Sequence, residues 1–160
     1  MQKYRFICTL ISTVLLSLMQ SASALAQSPL DGKVKEQVQT ILQRLQTERV
    51  SLKYKMVLDS DPAIHLEGSL ILEGNCYLAL GNGLEIYSDG TSRWTVDPQE
   101  KEVYIEDSTG VNEAFAYSDS VKELKISEVK YSPAKGEDRS FRFDTTKLDS
   151  SWVVTDLRGE

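Results

Sequence analysis

Few side chains in this sequence are suited to chemistry. His65 is the only histidine, and it stands two residues from Glu67 in a stretch where apolar and polar positions alternate. An imidazole beside a carboxylate can act as a general base, but only with a group to deprotonate within hydrogen-bond reach. No Ser/His/Asp or Cys/His set can be assembled around it, and the acidic residues are scattered. His65 therefore reads as a solvated side chain on the polar face of a strand. Cys76 is the one cysteine beyond the first eight residues, and on the apolar side of a strand its thiol is inert packing. Asp59 and Asp61 have the spacing of two calcium ligands, but the glycine and distal glutamate of a calcium-binding loop are missing. There is no phosphate-cradling glycine loop and no metal-ligand spacing. The expectation is a chain with no catalytic residues, no metal and no cofactor.

The chain opens with Lys3 and Arg5, an apolar run from Phe6 to Met19, and Ala24-Leu25-Ala26. This is the pattern of a secretory signal peptide, residues 1–26, cleaved before Gln27. The apolar run is shorter than the roughly 18 to 20 residues of a spanning helix. The expected product, residues 27–160, is one exported, periplasmic domain that does not span the membrane. Without Lys3 and Arg5, 16 basic residues face 24 acidic ones, a net charge of −8. Such a chain repels phosphate backbones, so nucleic acid is excluded as a partner. With one cysteine left, no internal disulfide is available, and the fold must rest on its core.

From Lys33 to Arg49, the residues Val34, Val38, Ile41, Leu42 and Leu45 fall on one stripe of a helix, with Ser28-Pro29 as a possible early start. Beyond it, from about residue 50 to 158, the pattern becomes that of a sheet. Even positions are apolar or small: Val50, Leu52, Tyr54, Met56 and Leu58, then Ile64, Leu66, Gly68, Leu70 and Leu72, then Cys76, Leu78 and Leu80, then Leu84, Ile86, Trp94 and Val96. Lys53, Lys55, His65, Glu67, Glu73 and Glu85 hold odd ones. Loops of odd length, Asp59–Ala63, Glu73–Asn75, Gly81–Gly83 and Ser88–Gly90, keep this parity across each turn. The Ser88–Gly90 loop pairs Tyr87 with Thr91, Glu85 with Arg93 and Leu84 with Trp94, and sets Glu85, Arg93 and Glu106 in one ionic row. A four-residue loop from Pro98 to Lys101 then pairs Val96 with Val103, Thr95 with Tyr104 and Arg93 with Glu106. The result is an antiparallel meander with one apolar face.

The first pairing sets Lys55 opposite Glu67 and Tyr54 opposite Gly68, whose bare backbone the ring can cover. Asp107–Ser120 reads as a loop. A hairpin follows, Glu123–Tyr131 with Arg139–Phe143 and a bulge near Ser127-Glu128, then a last strand with Trp152, Val154 and Leu157. About eight or nine strands at 4.8 Å give a sheet roughly 38 to 43 Å wide. A helix is about 10 to 12 Å across. One apolar face of that breadth has to curl around the helix, meet a partner chain, or bind something greasy.

The segments from Gly68 to Leu78, Ser88 to Asp97 and Glu102 to Ile105, following a signal peptide and an amphipathic helix, resemble the outer-membrane lipoprotein carrier family (LolA-like). Phe141 to Leu148 and Val154 to Arg158 resemble the C-terminal end of its Bacteroidetes-type variants. The interval from Glu106 to Lys122 is shorter than in typical members, and no arginine near Glu73–Asn75 matches the one that helps fasten the family's lid. The resemblance implies an α+β, mainly β fold, an open half-barrel of curved antiparallel sheet with the helix on its concave apolar face. It also implies a periplasmic chaperone that shelters lipoprotein acyl chains, or another lipid, between an inner-membrane donor and an outer-membrane acceptor. The residues expected to meet the lipid are Leu52, Tyr54, Met56, Leu66, Leu70, Leu78, Ile86, Trp94 and Val96 on the sheet, and Val38, Ile41, Leu42 and Leu45 on the helical lid. The alternative is a non-enzymatic envelope protein-binding or stress-sensing module on the same scaffold.

Overall fold

The computed structural model describes residues 31–108, 121–136 and 139–159. They form a mainly β, α+β fold: one helix and a single curved sheet that stays open. Helix α1 is Gly32–Arg44; the strands are β1 (Glu48–Leu58), β2 (Ile64–Glu73), β3 (Cys76–Gly81), β4 (Leu84–Ser88), β5 (Ser92–Asp97), β6 (Glu102–Asp107), β7 (Val121–Pro133) and β8 (Val153–Asp156). Their order across the sheet is β7-β1-β2-β3-β4-β5-β6-β8. Strands β1 to β6 are the expected meander. Strand β7 does not continue it but returns to pair with β1, and β8 joins β6 in parallel. The expected signal peptide, the Ser28-Pro29 start and most of the Asp107–Ser120 loop lie outside the described residues.

Helix α1 ends at Arg44, five residues short of the expected Arg49. Leu45 N–H still bonds to Ile41 O at 3.0 Å, and Arg44 grips Glu48 while its guanidinium lies 3.6 Å over the Tyr131 ring. Glu48 and Arg49 instead open β1, where Arg49 pairs with Glu73 across the ladder. A buried partner on the neighbouring strand outweighs the small propensity gain of another helical turn.

The β1–β2 register is as expected, with Tyr54 opposite Gly68 and Lys55 opposite Glu67, the latter pair closing at 2.8 Å. So is the β5–β6 register, with Val96 opposite Val103, Thr95 opposite Tyr104 and Arg93 opposite Glu106. The expected bulge occurs at Glu128, whose φ is +51°. Three turns differ. Glu73 pairs directly with Cys76 across Gly74-Asn75, and Gly81 with Leu84 across Asn82-Gly83. Each two-residue turn flips the parity, so Tyr77 and Ala79, not Cys76, Leu78 and Leu80, share the face of the even residues of β1 and β2. The second flip returns Leu84 and Ile86 to that face.

The third difference has no later turn to cancel it. Ser88 pairs with Arg93, Tyr87 with Trp94, Ile86 with Thr95 and Glu85 with Val96, replacing the expected pairs of Tyr87 with Thr91, Glu85 with Arg93 and Leu84 with Trp94. An even number of residues, Asp89 to Ser92, lies between. The Asp89 carboxylate fixes this turn by accepting from Thr91 N–H at 2.9 Å and Ser92 N–H at 2.8 Å. Trp94 and Val96 consequently point away from Ile86. The ionic row is reduced to Arg93 and Glu106, 2.6 Å apart, while Glu85 on the other face accepts from the Tyr87 hydroxyl.

The sheet therefore carries two apolar half-faces. The front, from β7 to β4, holds Val50, Leu52, Tyr54, Met56, Leu58, Leu66, Leu70, Leu72, Tyr77, Ala79, Leu84, Ile86, Val121 and Leu124 in one cluster with Ile41 and Leu45. The back, over β5 and β6, holds Trp94, Val96, Val103 and Ile105 with Tyr87, Phe143, Leu148 and Trp152. The last three come from a segment that crosses the back of the sheet from β7 to β8. Within it Arg139–Phe141 is a 3-10 turn, not the expected strand, because this stretch serves as a strap and has no ladder to join.

Candidate functional site

Six of the nine expected sheet residues come together on the front face: Leu52, Tyr54, Met56, Leu66, Leu70 and Ile86, each at most 7% exposed. They form one cluster with Ile41 and Leu45 of the helical side, against which Leu42 packs half-buried; Val38 is buried as well. The other three do not join them. Leu78 is on the back of β3, and Trp94 and Val96 belong to the back cluster under the strap. Trp94 and Val96 pack in that core, where the Tyr87 and Phe143 rings lie 5.5 Å apart between centroids, while Leu78 is half-buried. Because each apolar half-face has its own cover, the breadth of the sheet alone no longer demands a partner or a cargo.

Helix α1 packs on β1 and β7. The apolar front face reaches two strands further than β2, through Ala79 on β3 to Leu84 and Ile86 on β4. The helix buries Val38 and Ile41, and the residue that caps its C-terminal end, Leu45, is buried with them. At about 1.5–3 kcal/mol each, their burial holds it down with roughly 5 to 9 kcal/mol before the cost of ordering it.

Tyr54 lies at the middle of the front face. Gly68 and Gly81 are direct partners, and the Tyr54 hydroxyl approaches both: a Cβ on Gly68 would sit 2.8 Å from it, and one on Gly81 2.9 Å. Burial pushes the Tyr54 phenol up to about 12. Its hydroxyl has no hydrogen-bond partner among the described residues. The ring covers bare backbone as the sequence led one to expect; the second glycine beneath it follows from the two-residue turn at Gly74-Asn75, which sets Gly81 opposite Gly68.

Towards β5 and β6 the front face becomes polar. Tyr77, Ser88, Arg93 and Glu106 stand in one row, and the Ser88 hydroxyl shares a hydrogen bond of 2.8 Å with Ser108. Burial raises the Tyr77 phenol, partly offset by the Arg93 guanidinium. This row sets a boundary to the apolar area that alternation alone did not reveal.

The strap is fastened at Glu73. Arg49 Nε donates to Glu73 Oε2 at 2.6 Å, and the backbone N–H groups of Lys135 and Gly136 donate to its other oxygen at 2.9 and 2.7 Å. The Arg49 guanidinium lies 4.9 Å from the centroid of the buried Phe141 ring. Burial alone would raise the Glu73 pKa; the hydrogen bonds from Arg49, Lys135 and Gly136 outweigh it and leave the carboxyl below its ordinary value. Further along, Arg142 pairs with Asp89 at 2.6 Å. Cys76 is half-buried nearby, and burial, then the Asp89 and Glu73 carboxylates, push its thiol up, away from the reactive thiolate.

His65 faces the solvent on the back of β2, at a groove of about 540 Å³ shared with Lys55, Glu67, Asn82, Glu123 and Lys125. Every one of these polar residues is exposed, and Lys55 is engaged with Glu67. The groove has none of the buried, converging polar groups of a catalytic site. Among the described residues, no three His, Cys, Asp or Glu side chains are placed to hold a metal ion, and no helix is long and apolar enough to cross a membrane. No known family model matches the chain, and no curated protein matches it.

Proposed function

We propose that this protein is a periplasmic carrier that shelters an acyl chain, of a lipoprotein or another lipid, against the apolar front face in place of helix α1. The observation that carries this reading is the modest hold of the helix on one apolar cluster that runs on from beneath it to Ala79, Leu84 and Ile86, all of them buried. Sheltering about eight methylenes contributes roughly 6 kcal/mol. That is comparable to the roughly 5 to 9 kcal/mol with which Val38, Ile41 and Leu45 hold the helix. An acyl chain can therefore compete with the lid, and the lid can expel it again, as a carrier between an inner-membrane donor and an outer-membrane acceptor requires. The Tyr54 hydroxyl in the middle of the area, without a hydrogen-bond partner among the described residues, offers a hydrogen bond to an ester or amide group of such a cargo. The resemblance of Gly68–Leu78 and Ser88–Asp97 to lipoprotein carriers supports the same reading, as does the export signal pattern of residues 1–26.

Mass spectrometry of protein extracted from its native envelope tests it. Copurifying lipid, lost on delipidation and regained on incubation with lipid, is the expected result. Lipid-free protein that carries a stoichiometric protein partner would overturn the carrier reading and assign the front face to a protein-binding module.

A further inference from the structure

The two edges of the sheet are built differently. Strand β7 is a defended edge: Lys122, Lys125 and Lys130 stand along it, Glu128 bulges it, and Pro133 ends it. These are the devices that prevent a strand edge from recruiting another chain. Strand β8 has none of them. Its two valines are the most exposed large apolar residues described, Val153 at 57% and Val154 at 44%. Among the described residues, β8 pairs on one side only, with β6.

The hydrogen bonds show which groups the free side offers. Val153 N–H donates to Lys101 O and Leu157 N–H to Ile105 O, both inward to β6. By alternation, the N–H and C=O groups of Val154 and Asp156 point outward. We propose that β8 pairs antiparallel with β8 of a second copy of this chain, about a two-fold axis at Val154. In this register the two Val154 residues face each other as a hydrogen-bonded pair, exchanging both backbone bonds. Asp156 N–H reaches Trp152 O of the other copy, so no use is made of Trp152 N–H, which is already committed to Asp149 O. Val153 lies opposite Thr155, a β-branched pair. The register thus satisfies the outward donors of β8 and covers both exposed valines, one on each face. The closed two-fold arrangement needs no second surface, and it is independent of what the front face binds.

A contact of one short strand is small, so the dimer is weak. Sedimentation of the purified protein from about 10 to 500 μM should show its average mass rising from one chain towards two. Val154→Lys sets two ammonium groups against each other across the axis, and Val154→Pro removes the outward N–H while leaving the bonds to β6. Both variants should stay monomeric over the whole range, with their far-ultraviolet spectra and unfolding midpoints showing that they fold. Leu80→Lys, at an exposed apolar residue in mid-sheet, should dimerise as the original does. A wild-type chain that stays monomeric, a Val154→Lys chain that still dimerises, or loss of the dimer in Leu80→Lys each overturns the proposal.

Discussion

Tyr54, Gly68 and Gly81 show how one ring can depend on two missing side chains. A glycine inside a strand normally weakens it, and its replacement by alanine in a compatible conformation gains about 0.4–1 kcal/mol. At Gly68 the sign reverses. A Cβ there would lie 2.1 Å from Leu80 O as well as 2.8 Å from the Tyr54 hydroxyl, and the first of these is backbone that cannot swing aside. Gly68→Ala is expected to destabilise the protein by about 3 kcal/mol, the upper end of the usual overpacking range, measured as a lower urea midpoint. Tyr54→Phe should act in the opposite direction. It keeps the ring over both glycines and removes a hydroxyl that is buried without a partner among the described residues, so a gain of about 1 kcal/mol is expected. Tyr54 opposite Gly68 was legible from the sequence because both positions belong to one long, unbroken pair of strands.

At the scale of elements, the turns decided what could be read. The Asp59–Ala63 and Pro98–Lys101 loops were assigned the right lengths, and the strands they join have the expected registers. Asn82-Gly83 carries the signature of a two-residue turn, and both residues do have positive φ, 54° and 81°. Requiring every large apolar side chain to share one face overrode that signal. The same requirement hid the turn at Asp89, which is set by one carboxylate capping two N–H groups. The strap was not legible at all, since Phe141, Phe143, Leu148 and Trp152 follow no strand or helix period. Its fastening makes a testable case. The Glu73 carboxyl, below its ordinary value when folded, contributes its full stabilisation above the unfolded pKa of about 4.3 and loses it as pH falls through the folded value. Glu73→Gln removes the carboxylate that accepts from Arg49, Lys135 and Gly136 and should cost about 3 kcal/mol at neutral pH. Its stability should also decline less steeply than that of the original chain below about pH 4.5. Equal acid dependence in the two proteins would rule out Glu73 as the fastening group.

At the scale of the whole molecule, the parity switch between β4 and β5 explains how, among the described residues, helix α1 and the strap divide the cover of an open sheet of eight strands. The front needs cover only as far as β4, and the strap serves the back of β5 and β6. Residues that look equivalent in the sequence, Ile86 and Trp94 above all, therefore have separable roles, and two truncations distinguish them. Trp94→Ala opens a cavity beneath the strap and should cost about 3–5 kcal/mol in stability. It should leave lipid affinity unchanged, because no part of it reaches the front face. Ile41→Ala should cost about 2–4 kcal/mol as well, but in the interaction that keeps the lid closed. If cargo takes the place of the helix, the closed state is its competitor, and weakening that state by 2 kcal/mol raises the apparent affinity for an acyl chain by roughly 30-fold. Titration of both variants with a fluorescent fatty acid, alongside urea unfolding, gives the comparison. Similar loss of stability with tighter binding in Ile41→Ala alone is the expected outcome. Weaker binding in Ile41→Ala would mean that the acyl chain sits beneath a helix that stays in place, and would remove the competition on which the carrier cycle is built.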